Sequence, residues 1–332
     1  MMRINPPLLT ILLSLLLFAV AFSSLFIGAA DLPAGDIVAA LMGTADGPTE
    51  IIVLELRLPR VVLGILAGAS LGISGAALQG LLRNPLADPG VIGVSATAGL
   101  GAVIAIYFGL SAVFPLSIQI LSMAGALLAT LILSLISSRD SSVLTLILAG
   151  IGISALATAA ISLTMNFAPN PMSLQDMIMW LLGSLENRTM TDISLAGPFI
   201  LLGWLIMQGV GQGLDASSLG EETAQTLGIN LKWLRMKVII GSAICVGATV
   251  SVCGSIGFVG LVVPHMVRSL IGHSPGRLLI PSALLGAILL SGADLLTRMP
   301  IGHGQLRLGV VTAFIGSPLF LYIIYRTRGT MR

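Results

Sequence analysis

The sequence predicts an all-α membrane protein of ten transmembrane helices, N-in and C-in, with one short cytoplasmic helix between spans. Three observations predict this. Of the 332 residues 56% are hydrophobic and 9% charged, and the mean hydropathy is +1.04, so the chain lacks the polar surface of a soluble protein. Ten apolar stretches can cross a bilayer, and basic residues favour one side of them. We expect residues 1–332 to form a single transmembrane domain.

Each predicted span approaches the roughly 20 residues that cross about 30 Å of hydrocarbon. The first span resembles a cleaved signal peptide in its flanks, but it exceeds the roughly 7–15 apolar residues of such signals, so we expect it to be retained. The sixth and eighth spans are short and are interrupted by Gly or by Pro264. The predicted spans are 8–28, 61–82, 91–110, 114–136, 144–165, 194–210, 238–253, 256–270, 278–297 and 308–325.

The distribution of basic residues sets the predicted orientation. If the N-terminus is cytoplasmic, ten spans return the C-terminus to the cytoplasm, and the positive-inside rule then favours this arrangement. The net charge of +2 gives no indication of a nucleic-acid partner. The cytoplasmic side receives Arg3, Arg83, Arg139, Lys232, Arg235, Lys237, Arg268, Arg277, Arg326, Arg328 and Arg332, whereas the outer side receives Arg57, Arg60, Arg188, Arg298 and Arg307.

The break between the second and third spans carries two prolines and two charges. Residues 83–89 read RNPLADP. Irregular backbone at a membrane is tolerated at an aqueous end, inside protein or beside a water-filled path. The sequence therefore predicts a conduit or its gate here, with Pro85 and Pro89 holding the loop as a rigid bend.

Glycine recurs every four residues in the second span, at Gly64, Gly68 and Gly72. This spacing predicts one flat helical face on which another backbone packs closely. Cys245 and Cys253 lie eight residues apart on one predicted helix, roughly 12 Å along its axis, which is too far for a disulfide. We therefore interpret them as packing residues.

The sequence indicates neither a metal site nor a catalytic centre. The three histidines fall in different segments without a ligand spacing. The histidines are His265, His273 and His303.

The longest polar segment on the predicted cytoplasmic side spans about 213–230. Ser218 followed by Glu221 has the spacing of a capping box, which predicts a helix over 218–227 that ends at Gly228. Leu219 and Leu227 are predicted to share a face with Thr223 and Ala224. Because the polar face is acidic rather than rich in Lys and Arg, we favour a cytosolic protein partner over the membrane surface.

Ser, Thr, Asn and Met residues recur along the fifth predicted span at intervals of roughly four residues, so several share one face. This face is expected either to line a weakly interacting passage or to make interhelical hydrogen bonds. The residues are Ser154, Thr158, Ser162, Met165 and Asn166.

Four motifs together resemble the permease subunits of ABC importers for iron-siderophore, haem and cobalamin. They read RLPR at 57–60, GAALQGLLRNPLADP at 75–89, LGEETAQTLG at 219–228 and IGFVGLVVPHMVR at 256–268. Asp294 and Arg298 also resemble the Asp-x-x-x-Arg pattern of that family, although an ion pair within one helix explains them equally well. The order of the motifs and the predicted ten spans match over nearly the whole chain.

The resemblance implies a type II importer in the inner membrane of a bacterium. A second permease, identical or different, would complete the path, two cytosolic ATPases would bind ATP and Mg²⁺, and a periplasmic or lipid-anchored binding protein would deliver the cargo. The permease itself would hold no cofactor and hydrolyse nothing. Asn84 and Leu86 would lie at the cytoplasmic gate.

The resemblance also implies two docking sites. The coupling segment that contacts the ATPase would comprise Ser218, Leu219, Gly220, Glu221, Glu222, Leu227 and Gly228. The arginines that grip carboxylates of the binding protein would be Arg57, Arg60, Arg298 and Arg307.

The cargo is less clearly indicated. Residues 305–309 read QLRLG, where the commoner family pattern has an acidic residue and a proline. Some ferric-siderophore permeases share the Leu-Arg pair, so the sequence favours a ferric siderophore, with haem or cobalamin as alternatives. An ion-coupled secondary transporter is the alternative of a different class, but it would need mid-membrane carboxylates and matching broken helices in the two halves.

Overall fold

The structure is a computed structural model that describes residues 4–28, 30–45, 47–139, 143–299 and 306–327, and within these ranges the regular elements are helices. Arg3, His303, Gln305, Arg328 and Arg332 lie outside the described residues. A π-helical segment, Ile51–Arg57, precedes α4, and a 3₁₀ turn, Pro89–Ile92, precedes α5. The helices are α1 Pro6–Phe26, α2 Ala34–Leu41, α3 Gly47–Glu50, α4 Leu58–Leu81, α5 Val94–Tyr107, α6 Leu110–Val113, α7 Ser117–Arg139, α8 Val143–Asn166, α9 Pro171–Leu181, α10 Met190–Ile206, α11 Val210–Ser218, α12 Glu221–Thr226, α13 Leu231–Cys253, α14 Val259–Ile271, α15 Pro275–Thr297 and α16 Leu308–Thr327.

Every predicted span coincides with the body of one of these helices. Six helices among the described residues are long and apolar enough to cross a membrane, and α10 with α11, bent by 49°, makes up to seven. Three of the predicted spans fall on shorter apolar helices, α5, α14 and α16. The all-helical class is confirmed, and the count of ten spans remains a prediction.

Helices α4 and α13 form the centre of the bundle. In the most apolar stretch of each helix, 78% of the residues of α4 and 83% of those of α13 are buried, whereas only 22% are buried in α1 and in α8. Helices that are apolar all round and buried belong in a core, whereas α1 and α8 present apolar side chains to their surroundings.

The glycine face predicted on α4 is confirmed against α15. A Cβ on Gly68 would lie 2.7 Å from the Cα of Ala287, and one on Gly72 would lie 2.9 Å from the carbonyl carbon of Ser282. Only glycine permits this backbone approach, because any side chain would overlap the neighbouring helix. The two helices therefore pack as one unit along much of their length.

Several short helices were not predicted. Helix α9 begins after Asn170, whose Oδ1 accepts a hydrogen bond from the N–H of Ser173 at 2.8 Å, which is an ordinary N-cap. Helix α2 begins beside Pro33 and buries only Ile37 and Ala40. These elements are too short for hydropathy to reveal them.

Candidate functional site

Two groups of candidate residues lie at opposite ends of α4 and α15. The arginine end contains Arg57, Arg60 and Arg298. The coupling end contains the 83–89 loop and the segment 210–230. Because Gly80 of α4 packs against Leu214 of α11, the loop and the segment share that end.

Asp294 is the buried charge at the arginine end, with 2% of its surface exposed. Nη2 of Arg298 lies 2.7 Å from its Oδ2, and Nη2 of Arg60 lies 2.8 Å from its Oδ1. The pair with Arg298 is the one considered from the sequence, and Arg60 is a second partner contributed by α4. One carboxylate thus pairs with two guanidinium groups, and the three side chains together carry a net charge of +1.

Arg57 and Arg298 are both hydrogen-bonded to the C-terminal end of α1. Arg57 donates to the carbonyl oxygens of Leu25 at 2.8 Å and Phe26 at 3.2 Å, and Arg298 donates to that of Ser24 at 2.6 Å. The last carbonyls of a helix have no partner within it, and a positive charge there also complements the helix dipole. Both guanidinium groups therefore have partners within the chain, and their role in docking a binding protein remains a prediction.

An open cavity of about 480 Å³ lies at this end. The side chains of Arg60 and Arg307 are 19% and 25% exposed, compared with 4% for Arg298. Arg307 also lies 3.7 Å from Glu186. Arg60 and Arg307 are therefore the docking candidates that retain solvent access, and an arginine can grip a carboxylate through two hydrogen bonds. The charged and polar residues that line the cavity are Arg57, Arg60, Arg298, Glu186, Asn187, Ser184 and Thr297.

The 83–89 loop is a fixed bend. Oδ1 of Asn84 accepts from the N–H of Leu86 at 2.9 Å, and Oδ1 of Asp88 accepts from the N–H of Gly90 at 2.7 Å. Arg83 has a φ of +48°, in the left-handed region. Both side-chain bonds form local turns that replace helical hydrogen bonds. The irregular backbone predicted from the prolines is confirmed, and the gating role of Asn84 and Leu86 remains a prediction.

Gln79 fastens this loop to α14 and was not identified from the sequence. It is 2% exposed, and its amide nitrogen donates to the carbonyl oxygens of Ala87 at 3.3 Å and Leu261 at 3.0 Å. Its amide oxygen accepts from Arg268 at 3.1 Å. Both the nitrogen and the oxygen of this buried amide have partners, so a movement of α14 would carry the loop with it.

The coupling segment differs from the predicted single helix. Ser218 ends α11 instead of capping the next helix, and its hydroxyl donates to the carbonyl oxygen of Asp215 at 2.6 Å. Gly220, with a φ of +119°, separates α11 from α12. The predicted capping box is therefore wrong, because the helix breaks where Gly220 adopts a conformation that other residues avoid.

Glu221 has a different partner from the predicted one, since its Oε1 lies 2.7 Å from Nη2 of Arg235 in α13. Ala224 is buried, whereas Leu219 and Leu227 are 67% and 61% exposed. These leucines therefore do not share a buried face with Ala224. They form an exposed apolar pair at the coupling end, and Gly228 ends the segment with a φ of +83° as expected.

Three of the five residues predicted to line a passage lie on the outward side of α8. Thr158, Ser162 and Asn166 are exposed, and Ser154 and Met165 are half-buried. The Ser162 hydroxyl donates to the carbonyl of Thr158 in the same helix at 3.0 Å, so it is not used to join another helix. The face is open to a path or to a second subunit.

Cys245 and Cys253 are free and buried, as predicted for packing residues. Within the described ranges no three His, Cys, Asp or Glu side chains are grouped so as to hold a metal ion.

The family model of the FecCD transport family matches residues 15–326. The vitamin B12 import system permease protein BtuC of Vibrio cholerae is 41% identical over 280 residues, which cover 83% of each chain. The Fe(3+)-citrate import system permease protein YfmE of Bacillus subtilis is 38% identical over 320 residues, or 96% of this chain and 95% of the relative.

A solved structure described as an inward-facing conformation of a metal-chelate type ABC transporter superposes with a TM-score of 0.86. It is 32% identical in sequence and covers 96% of this chain and 99% of that one.

Proposed function

Because this chain belongs to the FecCD transport family, we propose that it is the membrane-embedded permease of an ATP-driven importer whose cargo is a ferric siderophore. Membership of the family makes this chain a permease subunit of an ABC importer for iron chelates, vitamin B12 or haem. One observation carries the importer role proposed for this chain: a positively charged cavity and an exposed coupling segment lie at opposite ends of the same packed helices. Such an arrangement suits a protein that joins a delivery partner to an energy-supplying partner.

The ATPase partner is assigned to the coupling end. Leu219 and Leu227 expose apolar side chains beside the acidic turn that contains Glu222. An exposed apolar pair with a polar rim is typical of a protein interface. ATP hydrolysis would take place in that separate cytosolic subunit, with its own Mg²⁺, and the permease would hold neither.

A second copy of the permease or a different one is proposed to complete the path. The exposed faces of α1 and α8 supply the apolar surface, and the polar face of α8 that contains Thr158, Ser162 and Asn166 would line the passage. Its hydroxyl and amide groups interact weakly with a large chelate, which favours transmission over tight binding. We place ten spans in a bacterial inner membrane, with both termini in the cytoplasm.

The siderophore assignment rests on Leu306 and Arg307 before α16. The relatives include permeases for ferric citrate and for vitamin B12, so the cargo has to be measured. A deletion strain is grown on single ferric siderophores, haem or cobalamin with and without the gene for this permease supplied again, and the cargo is the compound on which the gene restores growth. Growth restored only on cobalamin or haem would overturn the assignment.

The docking role is tested with the two arginines that retain solvent access. The double variant Arg60→Gln with Arg307→Gln should weaken binding of the delivery protein at least about tenfold, because each lost charge pair at an interface costs on the order of 1 kcal/mol or more. The salt dependence of binding should also fall, since rim charges are screened over about 10 Å at 0.1 M salt.

The control is Lys232→Gln, which removes an exposed positive charge in the first turn of α13, at the opposite end of the molecule. Thermal melting of each variant checks the fold. Wild-type affinity and salt dependence in the double variant would show that these arginines do not dock the partner. Changing Arg57 would not test docking, because it also releases the end of α1.

A further inference from the structure

Helix α15 contacts both functional ends of the molecule. Its 23 residues correspond to roughly 34 Å at 1.5 Å per residue, about the thickness of the hydrocarbon core. Its last turn holds Asp294, which is bound to Arg60 and Arg298 at the edge of the docking cavity. Its first turn meets the coupling segment.

The contact at the first turn is made by Asp215 of α11. Its Oδ1 accepts from the hydroxyl of Ser274 and from the N–H of Gly276, both at 2.8 Å. Ser274 occupies the N-cap position of α15, but its own side chain makes no capping hydrogen bond there. A carboxylate from another helix therefore caps α15, and its negative charge also complements the helix dipole.

The backbones of α11 and α15 also touch at this point. A Cβ on Gly276 would lie 2.7 Å from the carbonyl oxygen of Gly211 and 2.7 Å from Oδ2 of Asp215. This leaves little room for the two helices to slide without breaking the cap. A displacement of the coupling segment is therefore passed to the start of α15.

The body of α15 is suited to carry that displacement. It packs on α4 through the glycine contacts at Gly68 and Gly72, and α4 contributes Arg60 to the cluster at the far end. Close-packed helices move as rigid bodies rather than deform continuously. The two ends of this pair are thus connected without an intervening loop.

Resting on the proposed function, we propose that Asp215 is a positioning residue that couples the ATPase to the docking cavity by capping α15 from the coupling segment. Asp215 is not among the residues predicted to contact either partner. The variant Asp215→Asn keeps an acceptor oxygen and removes the charge, and Asp215→Ala removes both. The coupling should therefore decrease in the order Asp, Asn, Ala.

The experiment uses the full complex in nanodiscs with its ATPase and its delivery protein free of cargo. Affinity for the delivery protein is measured without nucleotide and with a non-hydrolysable ATP analogue, and the ratio of the two values is the coupling, typically about 5- to 150-fold. We expect Asp215→Ala to reduce this ratio at least about threefold while nucleotide-free affinity and ATPase co-purification stay at wild-type levels. Asp36→Asn, an exposed aspartate in the first turn of α2, is the control and should leave the ratio unchanged.

The outcomes separate the two hypotheses. A wild-type complex that binds no ATPase, or whose ratio is one, contradicts the proposed function itself. A wild-type ratio retained in Asp215→Ala contradicts only the coupling role. If Asp215→Ala fails to assemble, Ser274→Ala removes one hydrogen bond of the cap without changing charge, and an unchanged ratio in that variant would likewise overturn the inference.

Discussion

At the scale of residues, Asp294 is the group on which the arginine end depends. It is the counter-charge for Arg298, whose side chain is 4% exposed, and for Arg60. Replacing it by Asn would leave a buried guanidinium uncompensated, which costs about 3–5 kcal/mol for a buried pair. We therefore expect Asp294→Asn to lower stability by about 3 kcal/mol, measured by unfolding in mixed detergent micelles.

The double variant Asp294→Asn with Arg298→Gln is the matched comparison. Removing both charges should recover part of the loss, because the cost lies in the unpaired charge rather than in the missing pair. If the stability of Asp294→Asn alone lies within about 0.5 kcal/mol of wild type, which is the usual range for surface substitutions, the cluster is not a buried network.

Asp88 in the 83–89 loop predicts a pH dependence. Burial raises the pKa of its carboxyl group, and the hydrogen bond from the Gly90 N–H only partly opposes this. A raised pKa in the folded state means that the folded protein binds the proton more tightly than the unfolded chain, so this group adds stability as pH falls through its folded pKa. Asp88→Asn retains an acceptor for Gly90.

We therefore expect Asp88→Asn to be more stable than wild type at neutral pH, with a difference that shrinks as the pH is lowered. Melting temperatures of both proteins between pH 4 and pH 8, scanned in parallel in one detergent, measure this. A difference that grows on acidification would contradict the assignment of burial as the cause.

At the scale of elements, the contact between α4 and α15 should tolerate no side chain. In Gly68→Ala the new Cβ would lie 2.7 Å from the Cα of Ala287 and closer still to the carbonyl of Gly286. Overpacking of this kind costs about 1–3 kcal/mol, and we expect a matching loss in unfolding experiments. Gly292→Ala in α15 is the control, because nothing lies within 4 Å of its Cβ position and helix propensity favours it by up to about 1 kcal/mol. Equal effects of the two substitutions would refute the close packing.

Elements that repeat a pattern over many residues were predictable from the sequence, and local breaks were not. The apolar stretches located the helix bodies, and the four-residue spacing at Gly64, Gly68 and Gly72 located the α4 face. The Ser218–Glu221 spacing matched a capping box equally well, but Glu221 pairs with Arg235 in another helix. A tertiary partner decided that geometry, and spacing within one segment carries no information about it.

At the scale of the whole molecule, the sites consist of residues that are far apart in sequence. Arg60 and Asp294 are 234 residues apart, and Gln79 and Arg268 are 189 apart. The sequence identified the Asp294–Arg298 pair because its partners lie within one turn. It did not reveal that α1 ends against Arg57 and Arg298, since that contact depends on how three helices pack. The predicted arginines and coupling residues were thus accessible from the sequence, whereas Gln79 and the partners that come from other helices were not.

The central claim, that this permease joins cargo delivery at one end to ATP hydrolysis at the other, is tested most directly by uptake into proteoliposomes. Permease, its ATPase and its delivery protein are reconstituted with ATP on the ATPase side, and radiolabelled iron in a ferric siderophore is followed. We expect uptake that requires ATP and the delivery protein and that is lost in Leu219→Asp, which places a charge on the exposed apolar pair of the coupling segment. Uptake that proceeds without ATP on an imposed proton or sodium gradient, and that is unchanged in Leu219→Asp, would contradict the account.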